Sequence, residues 1–410
     1  MHTSRTAPAG ERIAVVDVLR AVALFGIIIT HCAQGYLASR PPRPGFMNLT
    51  ELDAVVANLV MLLAVGKFFT IFSFLFGLSF ALQMHSAAQK GAAFAGRFIW
   101  RLTVLGLIAL VHNVFYAGDI LIIYVFLGLL LIPLRAVGNR VLLVAALLLI
   151  LNVPGLVLGW RALNAPPPAA EQQMTPQLQA QAAQDVQRQF DIKKSGSPAE
   201  IIRLNLTDGL ESKLVFQVRS GRLWMTFGLF LLGLCAGRLE IFRDSDVHRR
   251  FFRNLMWGAG VAAAMTTVIG IVRPAGFQVN SVADLLAGFS RTVQQVSLSA
   301  FYLAVVTLLY WRKPARGLLP ALAPVGKMGL TVYLTQTVFG VLLFQGFGFG
   351  MIGELGTAPA VALGILFFAA QILCARWWMT YFSMGPVEWL WRSLTYFKLQ
   401  PNTRGAMKPA

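Results

Sequence analysis

Charged residues are scarce in this chain of 410 amino acids. Only 13% of them are Asp, Glu, Lys or Arg, whereas 57% are apolar. Soluble globular proteins usually contain about 25% charged and roughly 45–50% apolar residues. This composition excludes an ordinary soluble domain. It predicts an all-α, polytopic integral membrane protein, because helices satisfy their own backbone hydrogen bonds within a bilayer.

Cysteine and the common catalytic motifs are also lacking. The three cysteines, Cys32, Cys235 and Cys374, lie in or beside apolar runs, and their wide spacing fits neither a disulfide framework nor a zinc site. The sequence has no phosphate-binding G-x-x-x-x-G-K-[ST] loop, no H-E-x-x-H pair and no G-x-S-x-G elbow. These absences exclude the enzyme classes that depend on those motifs, and we predict no metal site.

Acidic residues are few relative to basic ones. The chain has 17 Asp and Glu against 35 Lys and Arg, a formal net charge of +18. In a soluble chain this excess would suggest a nucleic-acid partner. In a membrane protein Lys and Arg collect in cytoplasmic loops, and no basic run here alternates with aromatic residues. We therefore predict membrane lipids, and no nucleic acid, as partners.

About ten apolar stretches are long enough to cross ~30 Å of hydrocarbon. They lie near 13–32, 65–84, 98–116, 118–136, 141–160, 223–239, 254–272, 294–311, 328–347 and 358–382. With both termini cytoplasmic, every short cytoplasmic loop is basic, as the positive-inside rule requires. The short loops of the other side hold only Arg40, Arg43, Arg273 and Arg291.

This topology divides the chain into four regions. Spans one to five form an N-terminal membrane bundle in 1–160, and spans six to ten form a C-terminal bundle in 223–397. Residues 161–222 form an extracytoplasmic loop, and 398–410 form a cytoplasmic tail. The loop has two interpretations: a solvated surface segment, or a lid over an outward-facing pocket.

Ionisable side chains inside the apolar segments are the first candidates for chemistry, because each is costly in hydrocarbon. Arg20 and His31 are eleven residues apart in the first span. That spacing returns to the same helix face about 16 Å further along. Asp17 lies one turn before Arg20 and is a candidate ion-pair partner. The alternative is that Arg20 extends to one membrane interface and His31 marks the other.

A histidine and a carboxylate lie at the membrane level of His31. His112 ends the third span, and Asp119 follows it after Gly118. Asp119 is either an N-cap of the next helix or the partner that orients a histidine. A histidine with a carboxylate partner is a common general-base arrangement. We therefore name His31, His112 and Asp119 as candidate catalytic residues.

Four further residues are candidates for lining a substrate pocket: Lys67, Tyr124, Tyr333 and Gln336. Lys67 opens the second span, and its alternative role is that of a lysine at the membrane interface. Tyr333 and Gln336 are one turn apart in the ninth span, where polar side chains often serve only to join helices. Near the C-terminus, Glu388 and Arg392 have the spacing of an ion pair within one helix.

Several of these segments resemble the YeiB-like family of uncharacterised bacterial inner-membrane proteins, which carry domain of unknown function 418. The likeness rests on Asp17-Val-Leu-Arg20, Lys67-Phe-Phe-Thr-Ile-Phe-Ser-Phe-Leu-Phe-Gly77, Gly118-Asp119-Ile-Leu, Gly326-Lys327-Met328 and Gly385-Pro386-Val-Glu388-Trp389. It extends over nearly the whole chain. The resemblance implies a multi-pass protein of the bacterial inner membrane.

A more distant resemblance implies an activity. Arginine, ten intervening residues and histidine are similar to the first-helix signature of the acyltransferase-3 class and of heparan-glucosaminide acetyltransferase-like proteins. The resemblance implies acyl transfer from cytosolic acyl-CoA to a hydroxyl or amine of a small-molecule or glycan acceptor at the outer face. Arg20 would bind the donor, and His31 would be the base. The alternatives are a small-molecule transporter or exporter, and a membrane protein without catalytic activity.

Overall fold

The computed structural model describes residues 14–91, 93–164, 176–271, 281–312 and 317–403. Over these ranges the secondary structure is helical, apart from one isolated bridge between Phe382 and Thr403. The N-terminal residues 1–13, predicted to be cytoplasmic, and Arg273 of a predicted outer loop lie outside the described residues. The helices are α1 (Ala14–Ala33), α2 (Glu51–Leu63), α3 (Lys67–Gln89), α4 (Ala95–Phe115), α5 (Leu121–Leu134), α6 (Asn139–Ile150), α7 (Val153–Leu163), α8 (Pro176–Ser195), α9 (Pro198–Leu206), α10 (Asp208–Arg219), α11 (Arg222–Arg238), α12 (Asp246–Ile271), α13 (Val282–Trp311), α14 (Leu318–Lys327), α15 (Gly329–Phe344), α16 (Thr357–Tyr381) and α17 (Pro386–Tyr396).

The described helices are those of a multi-pass membrane protein. Six are long and apolar enough to cross a bilayer, and the number reaches nine if each of three bent pairs is one span. The pairs bend by 46° between α6 and α7, by 69° between the segment Pro198–Arg219 (α9 and α10) and α11, and by 84° between α14 and α15. Our count of ten treats each bent pair as one span and also includes α5, which is apolar but shorter. Ten spans with cytoplasmic termini therefore stay a prediction.

Helix α1 lies inside the bundle, packed against α3, α14, α15 and α16. Eleven of its residues are buried, including Asp17. The contact with α14 is close because Gly326 has no side chain: a Cβ there would lie 1.7 Å from the carbonyl oxygen of Asp17. The part of α1 that carries Asp17 is therefore packed against protein.

Helices α3 and α11 form the other close pair of the bundle. A Cβ on Gly77 would lie 2.0 Å from the carbonyl oxygen of Phe230, and one on Gly233 would lie 2.0 Å from that of Phe74. Small residues let membrane helices approach closely enough for backbone contact. This packing brings the first turn of α11 beside the first turn of α3.

Helices α8, α9 and α10, here called the roof helices, fold onto one end of the bundle. In α8 the buried residues are Phe190 and Lys193, and the Lys193 ammonium donates to the carbonyl of Leu37, just after α1. In α9 the Asn205 amide donates to the carbonyl of Val114 at 3.1 Å. The segment predicted as either a solvated loop or a lid therefore covers the ends of α1 and α4.

The C-terminal helix α17 caps α15. The Glu388 carboxylate accepts hydrogen bonds from the amides of Leu330 at 2.6 Å and Thr331 at 3.0 Å, and from the Thr331 hydroxyl at 2.6 Å. A carboxylate at a helix N-terminus satisfies free amides and favours the helix dipole. The interpretation of Glu388 and Arg392 as an ion pair is wrong, because the carboxylate faces α15. The Arg392 guanidinium lies instead near Met384 Sδ, at 3.7 Å.

Candidate functional site

The site is built around His112 and Asp119, which lie on either side of the turn between α4 and α5. The His112 Nδ1 atom is 2.8 Å from Asp119 Oδ1, and both side chains are buried. Asp119 Oδ2 accepts the backbone amide of Ile122 at 3.2 Å. Asp119 therefore bonds to the histidine and also accepts an amide of the first turn of α5, although the N-cap residue of α5 is Ile120. With Nδ1–H donated to the carboxylate, Nε2 carries the lone pair.

The other nitrogen of His112, Nε2, has no hydrogen bond to the described protein. This nitrogen is buried. Buried polar atoms are nearly always hydrogen-bonded, so one that is not needs an explanation such as a catalytic role or a bound molecule. The ring packs between two tyrosines, 6.2 Å from the Tyr116 ring and 5.3 Å from that of Tyr333.

His31 joins this group through Tyr116. The His31 Nδ1 atom is 2.9 Å from the Tyr116 hydroxyl, and its ring centroid is 5.2 Å from that of Tyr36. Tyr36 in turn donates from its hydroxyl to the carbonyl of Gln336 at 3.0 Å. His31 lies near enough to His112 to interact with it electrostatically.

Tyr333 closes the group from the side of α15. Its hydroxyl donates to Asp119 Oδ1 at 3.4 Å, so the carboxylate receives hydrogen bonds from α4, α5 and α15. We call His31, His112, Tyr116, Asp119 and Tyr333 the histidine cluster. It unites residues from α1, from the α4–α5 hairpin and from the C-terminal half of the chain.

Arg20 lies about three turns away from His31 along α1, near the opposite end of the bundle. Its guanidinium forms hydrogen bonds with Asp17 at 2.6 Å and with Ser79 at 2.7 Å. The predicted pair with Asp17 is confirmed. Because Ser79 belongs to α3, the Arg20 side chain is directed into the bundle, as His31 is.

Three predicted pocket residues point elsewhere. The Lys67 ammonium donates to the carbonyl of Met61 at 3.2 Å, at the end of α2. The Gln336 amide bonds to Gln371 at 3.1 Å, which joins α15 to α16. The Tyr124 hydroxyl is 2.6 Å from that of Ser73. Lys67 and Gln336 thus serve helix packing, and hydrogen bonds in the described residues bring none of the three into the histidine cluster.

Two cations near the cluster were missed by the sequence analysis. Arg222 begins α11, and its guanidinium lies 4.0 Å from the centroid of the Phe69 ring. Lys213 in α10 is buried and donates to the side-chain oxygen of Asn113. Their only sequence signal is a position beside an apolar run, which is also typical of basic residues at a membrane interface.

Outside the spans, the roof has two lysines in contrasting environments. Burial lowers the pKa of Lys193 from 10.5 to about 8. Its neighbour Lys194 is exposed and pairs with Glu354 at 2.5 Å, and this partner lowers the pKa of the Glu354 carboxyl. The roof is therefore attached by one buried and one exposed lysine.

Comparison with known proteins gives a family and no activity. Residues 236–398 match the family model described as protein of unknown function DUF418. The uncharacterised protein YxaH of Bacillus subtilis is 31% identical over 412 residues, covering 95% of this chain and 96% of the relative. The chain belongs to the YeiB-like DUF418 family. The uncharacterised protein YeiB of Escherichia coli is 27% identical and covers 94% of this DUF418 chain and 96% of its own length.

The family model and the site overlap only in part. Of the histidine cluster in this DUF418 protein, the matched residues 236–398 include Tyr333 alone. The relatives YxaH and YeiB match 95% and 94% of this chain. Their similarity therefore also extends over the N-terminal half of this chain, where His31, His112 and Asp119 lie. Among the residues described, no group of three or more His, Cys, Asp or Glu is arranged to hold a metal ion.

Proposed function

We propose that this protein transfers an acyl group from cytosolic acyl-CoA to a hydroxyl or amine of an acceptor, with His112 as the general base. One observation carries the proposal: His112 has a carboxylate on Nδ1 at 2.8 Å and an unpartnered, buried Nε2. A positioned histidine of this kind typically contributes about 10²–10⁴-fold to a rate.

The reaction balances with the residues of the cluster. His112 Nε2 takes the proton of the acceptor hydroxyl or amine as its oxygen or nitrogen attacks the thioester carbonyl. The imidazolium that forms is stabilised by Asp119. The tetrahedral intermediate then expels the CoA thiolate, which receives the proton from Nε2. The products are acylated acceptor and free CoA, and the histidine is neutral again.

His31 and Arg20 take supporting parts in this proposal. The hydrogen bond between His31 and Tyr116 at 2.9 Å supports a role for His31 in positioning the acceptor beside His112. Arg20, at the other end of α1, would bind an anionic part of the donor. The ~16 Å between Arg20 and His31 along α1 is similar to the length of an extended pantetheine arm. This arrangement requires the predicted topology of ten spans with cytoplasmic termini in the bacterial inner membrane. In that orientation the Arg20 end of α1 faces the cytoplasm, where CoA is present.

The test is a CoA-release assay on the purified protein with acetyl-CoA and a panel of sugars and amines. We expect His112→Gln to lower turnover by about 10²–10⁴-fold. The matched control is His85→Gln, because His85 is exposed and bonds only to Gln89. CoA release that is equal in the wild type, His112→Gln and protein-free samples for every acceptor would remove the proposal.

An exporter is the competing function, because α14 and α15 form a helix broken by 84°. Broken helices of transporters direct free amides at an anionic substrate. Here the amides at the start of α15 are already bonded to Glu388, which favours the transferase. Solute flux in proteoliposomes without CoA consumption would favour the exporter.

A further inference from the structure

Arg222 is a half-buried cation that contacts two aromatic rings. Its guanidinium lies over the Phe69 ring at 4.0 Å and faces that of Phe216 at 5.4 Å. No carboxylate in the described parts of the chain forms an ion pair with it. A charge that is partly removed from water is unfavourable unless an opposite charge compensates it.

Arg222 lies between the roof and the start of the bundle helices. Its guanidinium contacts the Phe216 ring of the roof helix α10 and the Phe69 ring of α3. The Phe69 carbonyl is 3.4 Å from the hydroxyl of Tyr124, which is in the first turn of α5, close in sequence to Asp119. The guanidinium is therefore beside the first turns of α3 and α5.

The roof helix α10 directs polar groups inward. Its only buried residues are Lys213 and Gln217, which are one turn apart and share a face. The other residues from Glu211 to Arg219 are exposed and include both apolar and charged side chains, with Leu214 at 47% and Phe216 at 51%. Burial of the two polar residues in place of the apolar ones is the reverse of the pattern in a soluble amphipathic helix. It indicates a polar site beneath α10.

The inward groups of α10 lie beside the catalytic residues. Lys213 donates to the side-chain oxygen of Asn113, the residue next to His112. The buried Gln217 Oε1 has no hydrogen-bond partner within the described residues. This amide oxygen accepts hydrogen bonds, so a bound molecule with a hydroxyl or an amine N–H would supply its partner.

The described cations of this region outnumber the carboxylate of the cluster. Lys213 bonds to Asn113, and Arg222 contacts Phe216 in the same roof helix as Lys213. Asp119 is the one carboxylate of the histidine cluster and is already bonded to His112. A guanidinium offers a fork of donors that matches the oxygens of a phosphate or carboxylate, and an ammonium adds a point charge.

We propose that Arg222 and Lys213 bind an oxyanion carried by the acceptor, and that Gln217 Oε1 accepts a hydrogen bond from the hydroxyl or amine of the same molecule, so that the acylated molecule is an acidic alcohol or amine. This inference rests on the proposed function, which leaves the acceptor's charge open. A phosphate or carboxylate held at Arg222 would set a neighbouring hydroxyl or amine beside His112 Nε2. The oxyanion belongs either to a lipid headgroup or to a soluble molecule.

Binding is measured first, without CoA, on the full chain in nanodiscs of phosphatidylcholine. The soluble probes are glycerol phosphate and glycerate, with glycerol as the neutral match. A second set of nanodiscs containing phosphatidylglycerol tests the lipid source, by the stabilisation of the protein against heat. We expect binding of the acidic probes or stabilisation by the acidic lipid, with inorganic phosphate as a competitor and no response to glycerol.

The decisive variant is Arg222→Gln, and Arg219→Gln is its matched control, since Arg219 is exposed on the same segment. We expect Arg222→Gln to weaken the acidic probe about tenfold or more, which is roughly 1.4 kcal/mol, and Arg219→Gln to leave binding unchanged. Lys213→Gln should weaken binding as well, and serves in place of Arg222→Gln if that variant does not fold.

Equal responses to acidic and neutral probes, or equal binding by the Arg222 and Arg219 variants, would overturn the oxyanion site. The two proposals fail separately. Acyl transfer to neutral acceptors that is insensitive to Arg222→Gln leaves the transferase and removes the anion site. Anion binding that depends on Arg222, with no CoA release from any acceptor, leaves the anion site and removes the transferase.

Discussion

Lys193 gives the sharpest prediction, because it anchors the roof with a buried ammonium. Its side chain is only 3% exposed and donates to the carbonyl of Leu37. Replacing it with methionine keeps much of its length and apolar stem while removing the charge. We expect Lys193→Met to hold the roof more firmly than the wild type at pH 7, and to remove a pH dependence that the wild type has.

The magnitude follows from the pKa of Lys193. Burial lowers it from 10.5 to about 8, and at ~1.36 kcal/mol per unit this corresponds to about 3 kcal/mol. The folded pKa is below the unfolded one, so this stability is fully present above pH 10.5 and is lost as the pH falls to about 8. The variant also loses one hydrogen bond, worth roughly 1 kcal/mol. The net gain at pH 7 is therefore about 2 kcal/mol.

The assay is hydrogen exchange of the α8 amides, converted to an opening free energy at each pH after correction for the intrinsic exchange rate. Between pH 7 and 10 the wild-type value should rise by roughly 2–3 kcal/mol, and that of Lys193→Met should stay level. Lys194→Met is the matched control. Its exposed pair with Glu354 contributes about 0–1 kcal/mol, so its pH dependence should follow the wild type.

A wild-type opening free energy that is equal at pH 7 and pH 10 would refute the reasoning. That result would mean that the ammonium stays solvated in the closed roof. A rise of the same size in Lys193→Met would also refute it, because the titrating group would then be another one.

Three further predictions concern the site and its support. Asp119→Asn should lower acyl transfer by about 10²–10⁴-fold in the CoA-release assay, because His112 loses the carboxylate that orients it. The melting temperature of the wild type should fall with rising pH, and Glu388→Gln should remove that fall. Burial raises the pKa of the Glu388 carboxyl above 4.5. The contribution of this group to the free energy of unfolding is therefore fully present below pH 4.5 and is lost as the pH rises through the raised pKa. Gly326→Ala should destabilise by at least about 1–3 kcal/mol in thermal unfolding, since its Cβ would meet the backbone of α1 at 1.7 Å.

Each of these has an outcome that contradicts it. Unchanged transfer by Asp119→Asn would leave Asp119 as a helix cap alone. A wild-type melting temperature that is flat with pH, or that falls equally in Glu388→Gln, would assign the titration to another group. For Gly326 the control is Gly258→Ala in α12, where nothing lies within 4 Å of the added Cβ; equal effects of the two substitutions would mean that α14 is not tightly packed on α1.

The helical membrane fold follows from the sequence because the apolar runs are long and the basic loops alternate. The bends were not predicted. Asn152 has a φ of +54°, and its left-handed conformation divides a run of apolar residues into α6 and α7. Asn152, Pro154 and Gly155 are residues typical of turns, but a count of spans from hydropathy does not use them. At the 84° turn at Met328, amides of α15 are bonded to Glu388, a residue far along the chain.

The candidate site shows the same division. His112 and Asp119 are separated by one tight turn, so their contact follows from local sequence. His31 and Tyr333 come from distant helices and join the cluster only through packing. Tyr116 lies between His112 and Asp119 and was given no role, because an aromatic residue beside an apolar run is ordinary. Lys67 and Gln336 are polar residues of the type expected in a pocket, yet their nearest acceptors belong to neighbouring helices.

The contact between Glu388 and α15 has a consequence for biosynthesis. Proteins are made from the N-terminus, so α1, α4 and α5 enter the membrane long before α17 is translated. Helix α15, which carries Tyr333, has free amides at its start until Glu388 reaches them. A ribosome that stops before α17 therefore leaves a chain that has all the candidate spans of the described residues and an unfinished site. Among the described helices, the last to be made completes the support of a cluster that the first one begins.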